Sequence, residues 1–171
     1  MSDAAIKLAD LPRALPFELS AEERRAIEHE LEHYPDGRAA SIEALKIVQK
    51  RRGWVPDGAY EPVGRLIGMS AAELLGVATF YSLIFKQPVG RHVIKLCDSL
   101  SCYLTGYEEV RKTLEGKLGI RFGQTTGDRR FTLLPICCLG ACDKGPVLMI
   151  DDDTHGNVKP DALDRMLEKY L

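Results

Sequence analysis

RHVIKLCDSLSC (residues 91–102) and FTLLPICCLGAC (residues 131–142) each join an apolar, strand-like run to a pair of cysteines. Between them, residues from about Thr105 to Leu118 show the apolar spacing of a helix. Strand, helix and strand in this order predict a β-α-β unit whose two strands are parallel neighbours joined by a right-handed crossover. Both cysteine loops would then emerge at one edge of the sheet, where open α/β sheets hold ligands.

Four of the five cysteines form two pairs, Cys97 and Cys102 with four residues between them and Cys138 and Cys142 with three between them. Two facing loops of thiolates suit a metal site with four sulfur ligands. Structural zinc sites commonly use tighter pairs, whereas wider spacings suit an iron–sulfur cluster. The spacing leaves both metals open, with spare or structural thiols as a third possibility. A thioredoxin-type dithiol enzyme is disfavoured because the chain has no Cys-x-x-Cys.

Cys137 and Cys138 are adjacent, and either could be the ligand that follows the second strand. Because neighbouring residues that leave a strand point to opposite faces, we expect one of them to face the metal. The other is expected to face the core as a small buried hydrophobe. The residues alone do not choose between the two.

The rest of the second half predicts two further strands and a final helix. A polar loop is expected from Gly119 to Arg130 and an apolar strand from Val147 to Asp151. Residues 153–157 (DTHGN) read as a hairpin turn into a short strand near Val158, with Asp151 to Asp153 as a solvated turn. A helix beginning at Pro160 completes the order β-α-β-β-β-α, which is typical of a thioredoxin-like core.

The first half has the pattern of a small helical bundle. Ser20 with Glu23, and Ser70 with Glu73, are capping boxes that begin the first and last of four short helices. The four helices are expected at about residues 20–34, 38–52, 58–67 and 70–80. Most large aromatic side chains near the bundle's end are expected to be buried, although they are also candidates for a docking surface: Trp54, Phe80, Tyr81 and Phe85.

Gln87 to Gly90 (QPVG) is the strongest boundary in the chain, because helical spacing gives way there to alternating strands and helices. The predicted organisation is a flexible N-terminal arm (1–19), a helical bundle (20–87) and a thioredoxin-like domain (88–171). The predicted fold class is therefore α+β.

Composition excludes several functional classes. The chain has 171 residues, of which 45% are hydrophobic and 28% charged, with a formal net charge of −2. This mixture is that of an ordinary globular protein. The chain lacks the excess of basic residues that nucleic-acid binding would need. Neither a signal peptide nor a membrane-spanning run is evident, so a cytoplasmic chain is expected. The histidines are expected to be solvated or packed rather than ligands: His29, His33, His92 and His155.

The cysteine motifs CDSLSC and CLGAC resemble the signatures of the thioredoxin-like 2Fe-2S ferredoxin family. The resemblance covers the chain from about Phe17 to its end and includes Ala44-Leu45, QKRRGWVP (49–56), GVATFYS (76–82) and GACDKGP (140–146). The helical half is similar to that of members that serve in respiratory NADH dehydrogenases. The resemblance implies one 2Fe-2S cluster with one iron on each cysteine pair, the cofactor- and metal-binding residues being Cys97, Cys102, Cys138 and Cys142. Many members have glutamate where this sequence has Cys137.

The resemblance also implies a function: a one-electron carrier subunit in the NADH dehydrogenase module of respiratory complex I. Its cluster would exchange electrons with FMN in a partner flavoprotein subunit, which also binds NADH, and a larger iron–sulfur subunit would be a second partner. The chain itself has no Gly-x-Gly-x-x-Gly and no phosphate loop, so it carries no complete active site and no catalytic residue is assigned. It would lie on the cytoplasmic side of the inner membrane through the complex.

Two alternatives remain at this point. One is an equivalent diaphorase subunit of an NAD-linked hydrogenase or formate dehydrogenase, and the other is a zinc-stabilised interaction domain. For a cluster, Asp98 and Asp143 would lower the reduction potential, whereas backbone amides near Gly140 would raise it. Gly106 and Gly140 are expected to adopt a positive φ or to allow a close approach of the backbone.

Overall fold

A computed structural model of the protein describes residues 17–170. Residues 1–16 of the predicted arm, and Leu171, lie outside the described residues. The chain divides into two compact units, the first ending at Gln87 and the second beginning at Pro88.

The first unit consists of four helices. They are α1 (Ala21–Leu31), α2 (Ser41–Arg52), α3 (Tyr60–Ile67, preceded by a short 3-10 helix at Asp57–Ala59) and α4 (Ala71–Phe80). Both predicted capping boxes are present. The hydroxyls of Ser20 and Ser70 accept hydrogen bonds from the backbone N–H groups of Glu23 and Glu73, and the carboxylates of these two glutamates accept hydrogen bonds from the backbone N–H groups of the two serines. The helices bury an apolar core that includes Ile27, Leu45, Val48, Val63 and Leu74.

Glu23 has a second role beyond capping α1. Its carboxylate is almost fully buried and accepts two hydrogen bonds from the Arg52 guanidinium of α2, at 2.6 Å each. These hydrogen bonds hold the pKa of Glu23 below its ordinary value of 4.5, against the opposing effect of burial. The cap of one helix is therefore also the ion pair that joins it to the next.

Glycine is required at position 64 in α3 because there is no room for a side chain. A Cβ at this position would collide with the backbone carbonyl oxygen of Met69, and Leu74 lies directly beyond. In an open helical position, glycine to alanine stabilises by about 1 kcal/mol. We expect Gly64→Ala instead to destabilise the unit by about 1–3 kcal/mol, because backbone atoms must move to admit the methyl group.

Gly76→Ala in α4 is the matched control, since a Cβ there meets nothing within 4 Å. Urea unfolding of both variants measures the effect. Equal or greater stability of Gly64→Ala relative to the unsubstituted chain would contradict the expectation.

The large aromatic residues of the first unit are less buried than predicted. Phe80 is 82% exposed and Tyr81 is 44% exposed, whereas Trp54 and Phe85 are half-buried. The prediction of burial was wrong because α4 ends at Phe80, and the interior beneath its last turns is filled by smaller side chains, Ala78 and Ile84. Leu75 within α4 and Leu83 after it are also exposed, so the helix and the segment that follows it present apolar surface.

The second unit is a five-stranded sheet with helices. Its elements are β1 (His92–Cys97), α5 (Leu100–Leu104), α6 (Tyr107–Leu118), β2 (Gln124–Thr125), β3 (Phe131–Ile136), β4 (Leu148–Ile150), β5 (Asp153–His155) and α7 (Leu163–Leu167). The strand order is β2-β3-β1-β4-β5, with β1 and β3 parallel and the other pairs antiparallel. The predicted α+β class is confirmed.

The core of the second unit is formed by β1, β3 and β4 against α6 and α7. Alternate residues of β1, Ile94 and Leu96, are fully buried in it, as expected from the two-residue period of a strand. The helices contribute Val110 and Leu114 from α6 and Leu163 from α7. This packing holds β1, the strand that ends in Cys97, at the centre of the sheet.

The acidic run at Asp151 to Asp153 contains a turn, as predicted, but Asp151 is half-buried and hydrogen-bonded rather than simply solvated. The Asp151 carboxylate accepts a hydrogen bond from Val93 N at 2.9 Å and pairs with His92 Nδ1 at 2.6 Å. The turn lies at residues 151–152, where Asp151 has φ +52°, and residues 153–155, expected in the turn, form β5. No strand forms at Val158, and the predicted polar loop contains β2.

Among the described residues, no single helix is both long and apolar enough to cross a membrane. The segments Asp57–Ile67 and Ala71–Phe80 meet the length and composition of a span only as a pair, across a bend of 113°.

Candidate metal centre

The two cysteine loops leave the sheet at the same edge, as predicted. In the parallel pairing of β1 with β3, Cys97 at the end of one strand is the partner of Ile136 at the end of the other. The N–H of Asp98 continues this pairing by donating to Ile136 O at 3.0 Å. Cys138 follows two residues later, so the ladder brings both loops to one place.

Cys97 and Cys102 form an inner pair. Cys97 is the last residue of β1, and Cys102 lies on α5, a five-residue helix that directly follows. Both side chains are buried, at 2% and 1% exposed, and both contact Val147. The predicted helix from Thr105 missed α5, because five residues are too few to show a helical period and three of them are exposed apolar side chains: Leu100, Tyr103 and Leu104.

Cys138 and Cys142 form an outer pair. Both are exposed, and their sulfur atoms lie 3.8 Å apart. A tetrahedral metal with thiolate bonds of about 2.3 Å, the value for zinc, holds two ligand sulfurs about 3.8 Å apart. The outer pair therefore has the separation that two thiolates on one metal ion require, a geometry that zinc and iron–sulfur sites share.

The sulfur atoms of the two pairs influence one another. Burial raises the pKa of the Cys102 thiol to about 11, with further contributions from its hydrogen bond with Cys97 and from the nearby Cys142. The pKa of the Cys142 thiol is also raised, first by its hydrogen bond with Cys138 and, among smaller causes, by Cys97. Thiols that hold their protons in this way must release them when they bind a metal.

In the part of the chain that the structure describes, no group of three or more His, Cys, Asp or Glu side chains is placed to hold a metal ion. The four cysteines are arranged as two neighbouring pairs.

Backbone N–H groups point at the sulfur atoms. The N–H of Gly140 donates to Cys138 Sγ at 3.3 Å, which confirms the expected amide near this position. Gly140 has φ +78° and Gly106 has φ +115°, so both glycines adopt the positive φ predicted for them. The N–H of Val147 acts on Cys102 and lowers its pKa, opposing the effect of burial.

Cys137 is not buried in the core, which was the position expected for whichever of the two adjacent cysteines is not a ligand. It is exposed rather than buried in the core, and its carbonyl oxygen accepts a hydrogen bond from Cys97 Sγ at 3.7 Å. The alternation of faces fails here because β3 ends at Ile136, so Cys137 and Cys138 both belong to the loop.

Sequence reasoning did not single out Val147. Its carbonyl accepts the N–H of Cys97 at 3.1 Å, and its side chain packs on the inner pair. Its position in the sequence could have indicated a role at the site, because Val147 is the first apolar residue after Gly145 and Pro146, in the segment that follows the second cysteine pair.

The family follows from this geometry and from comparison with known proteins. A family model described as "Thioredoxin-like [2Fe-2S] ferredoxin" matches residues 27–171, so this chain belongs to the thioredoxin-like [2Fe-2S] ferredoxin family and the predicted resemblance is confirmed. The cofactor of that family is a 2Fe-2S cluster. Its members are electron carriers, because such a cluster gains and loses one electron at a time.

Particular relatives are similar over nearly their whole length. The E subunit of NADH-quinone oxidoreductase from Pseudomonas aeruginosa is 63% identical over 155 residues, covering 91% of this chain and 93% of the relative. The protein of the same name from Escherichia coli K12 is 62% identical over 159 residues, covering 93% and 96%.

Among solved structures, an NAD+-reducing [NiFe]-hydrogenase has a similar fold, with a TM-score of 0.65 and 22% identity. The likeness covers 77% of this chain but only 22% of the hydrogenase chain.

Proposed function

We propose that the chain is the one-electron carrier subunit of the NADH dehydrogenase module of a respiratory NADH:quinone oxidoreductase, complex I. Its 2Fe-2S cluster would be held by four cysteines, namely Cys97, Cys102, Cys138 and Cys142. The observation that carries the proposal is the meeting of two cysteine pairs at one edge of the sheet, with the outer sulfurs 3.8 Å apart. The named relatives at 62–63% identity support the choice of complex.

Each residue of the site has a part in this proposal. Cys97 and Cys102 would bind one iron in an environment that excludes water, and Cys138 and Cys142 would bind the other at the surface. When bound, the cluster supplies a centre that takes up and releases a single electron. The Gly140 N–H stabilises negative charge on the Cys138 sulfur, which raises the reduction potential.

The proposal assigns the remaining chemistry to partners. FMN and NADH would bind to a flavoprotein subunit that exchanges electrons with the cluster, and a larger iron–sulfur subunit would be the second partner. Residues 88–171 would carry the cluster, and residues 20–87 would form the helical bundle. The assembly would lie on the cytoplasmic side of the inner membrane.

An equivalent subunit of an NAD-linked hydrogenase or formate dehydrogenase is the second candidate. The likeness to the NAD+-reducing hydrogenase is one of fold, at 22% identity. The identity of 62–63% to relatives named for the quinone oxidoreductase is much higher and favours complex I.

The proposal is tested by metal and sulfide analysis of the anaerobically purified chain, together with EPR after reduction. We expect about two irons and two acid-labile sulfides per chain and a signal in the reduced state only. Stoichiometric zinc without sulfide, in protein produced with ample iron, would contradict the proposal and leave a structural metal domain.

A further inference from the structure

Gly145 lies where the segment that follows the outer cysteine pair passes the helix that carries Cys102. A Cβ built on Gly145 would lie 2.5 Å from Thr105 Oγ1, 3.4 Å from Ser101 O and 3.5 Å from the Cα of Cys102. The backbone of Gly145 has φ −63° and ψ 150°, which any residue adopts. Glycine is therefore needed here for space and not for conformation.

Thr105 forms the other side of this contact. Its hydroxyl donates to the carbonyl oxygen of Ser101 at 2.8 Å and lies 3.2 Å from that of Cys102. These hydrogen bonds fix the hydroxyl over the last turn of α5. The group that Gly145 contacts is thus held in place and cannot rotate away without losing its partners.

The contact lies between two segments that each lead to a cysteine pair. Gly145 comes three residues after Cys142, and Val147 follows it and packs on Cys97 and Cys102. Ser101, whose carbonyl oxygen faces Gly145, directly precedes the ligand candidate Cys102. Any movement of the segment away from α5 would change the distance between the inner and outer pairs.

We propose that Gly145 and Thr105 are positioning residues for the cluster, because their close contact sets the separation of the two cysteine pairs. This inference rests on the proposed function, in that the four cysteines must hold a cluster. It predicts that a methyl group at Gly145 pushes the outer pair away from the inner pair. Removal of the Thr105 side chain should make room for that methyl group.

The test compares Gly145→Ala, Thr105→Ala and the double variant, all purified anaerobically as the full chain. The readouts are the EPR g values of the reduced cluster and the rate of iron loss to an excess of chelator. We expect Gly145→Ala to shift the g values and to lose iron roughly tenfold faster, because overpacking forces a shift of the backbone beside the cysteines. Thr105→Ala should have a smaller effect, and the double variant should resemble Thr105→Ala.

Gly116→Ala in α6 is the matched control, because a Cβ there meets nothing within 4 Å and its iron loss should equal that of the unsubstituted chain. Unchanged g values and unchanged iron loss in Gly145→Ala would overturn the inference. A double variant that remains as impaired as Gly145→Ala would also overturn it, because the Thr105 side chain would then not be what the new methyl group collides with. The same conclusion applies if neither of these two variants folds. If the unsubstituted chain holds no iron and sulfide, the proposed function fails instead.

Discussion

Cys138→Ala is expected to abolish the cluster, whereas Cys137→Ala is expected to leave it in place. Cys138 lies 3.8 Å from Cys142, sulfur to sulfur, and accepts the Gly140 N–H, so its removal leaves one iron with a single thiolate from the outer pair. Cys137 contributes its carbonyl oxygen to Cys97, and alanine keeps that oxygen. Iron and sulfide content should fall to near zero in the first variant and stay unchanged in the second.

The two substitutions are matched, since both replace an exposed cysteine of the same loop with alanine. Circular dichroism shows whether each variant folds. Retention of the cluster in Cys138→Ala and its loss in Cys137→Ala would reverse the assignment of the ligand and would require the loop after Ile136 to adopt another conformation.

The second large effect concerns the helical unit. Glu23→Gln should destabilise it by about 2–3 kcal/mol, because the buried carboxylate that receives two Arg52 hydrogen bonds is lost and the guanidinium keeps the Glu18 carbonyl oxygen as its remaining hydrogen-bond partner. Glutamine can still close the capping box, so the loss reports the ion pair. Urea unfolding followed by the fluorescence of Trp54, the one tryptophan of the chain, measures it within this unit.

Glu22→Gln is the control, since the neighbouring Glu22 pairs with Arg51 at the surface, where both side chains are about half exposed or more. Such a pair contributes about 0–1 kcal/mol. Equal losses of stability in Glu23→Gln and Glu22→Gln would contradict the prediction, because the buried ion pair would then contribute no more than the surface ion pair.

The Glu23 pair also predicts a dependence on pH. The pKa of Glu23 is lowered on folding, so its contribution is fully present above the ordinary value of 4.5 and is lost as the pH falls through the lower, folded value. The unsubstituted chain should lose stability on acidification below about pH 4.5. Glu23→Gln should lose less over the same range, because that titration is absent.

The helix starts that the capping boxes specify were predicted correctly. Ser20 and Glu23 mark the start of α1 because a capping box needs only residues close together along the chain. The common edge of the two cysteine loops was also predictable, because a crossover between parallel strands leaves few alternatives.

Contacts between distant segments were not predictable. The pairing of Glu23 with Arg52 joins two residues that are 29 positions apart in the chain, and no local pattern indicates it. The short helix α5 and the exposure of Cys137 depend on where strands β1 and β3 end, to within one residue. The close contact of Gly145 with Thr105 is likewise a property of the folded chain alone.

The unequal burial of the two cysteine pairs has a consequence for the chemistry of the metal-free chain. Cys97 and Cys102 are closed to solvent, whereas Cys138 and Cys142 face the solvent. Oxidants and alkylating reagents act on accessible thiolates, so they modify the outer pair first. Under the proposed assignment of the ligands, a chain that loses its cluster in air would therefore become unable to rebind it through damage at the surface, while the inner pair is still intact.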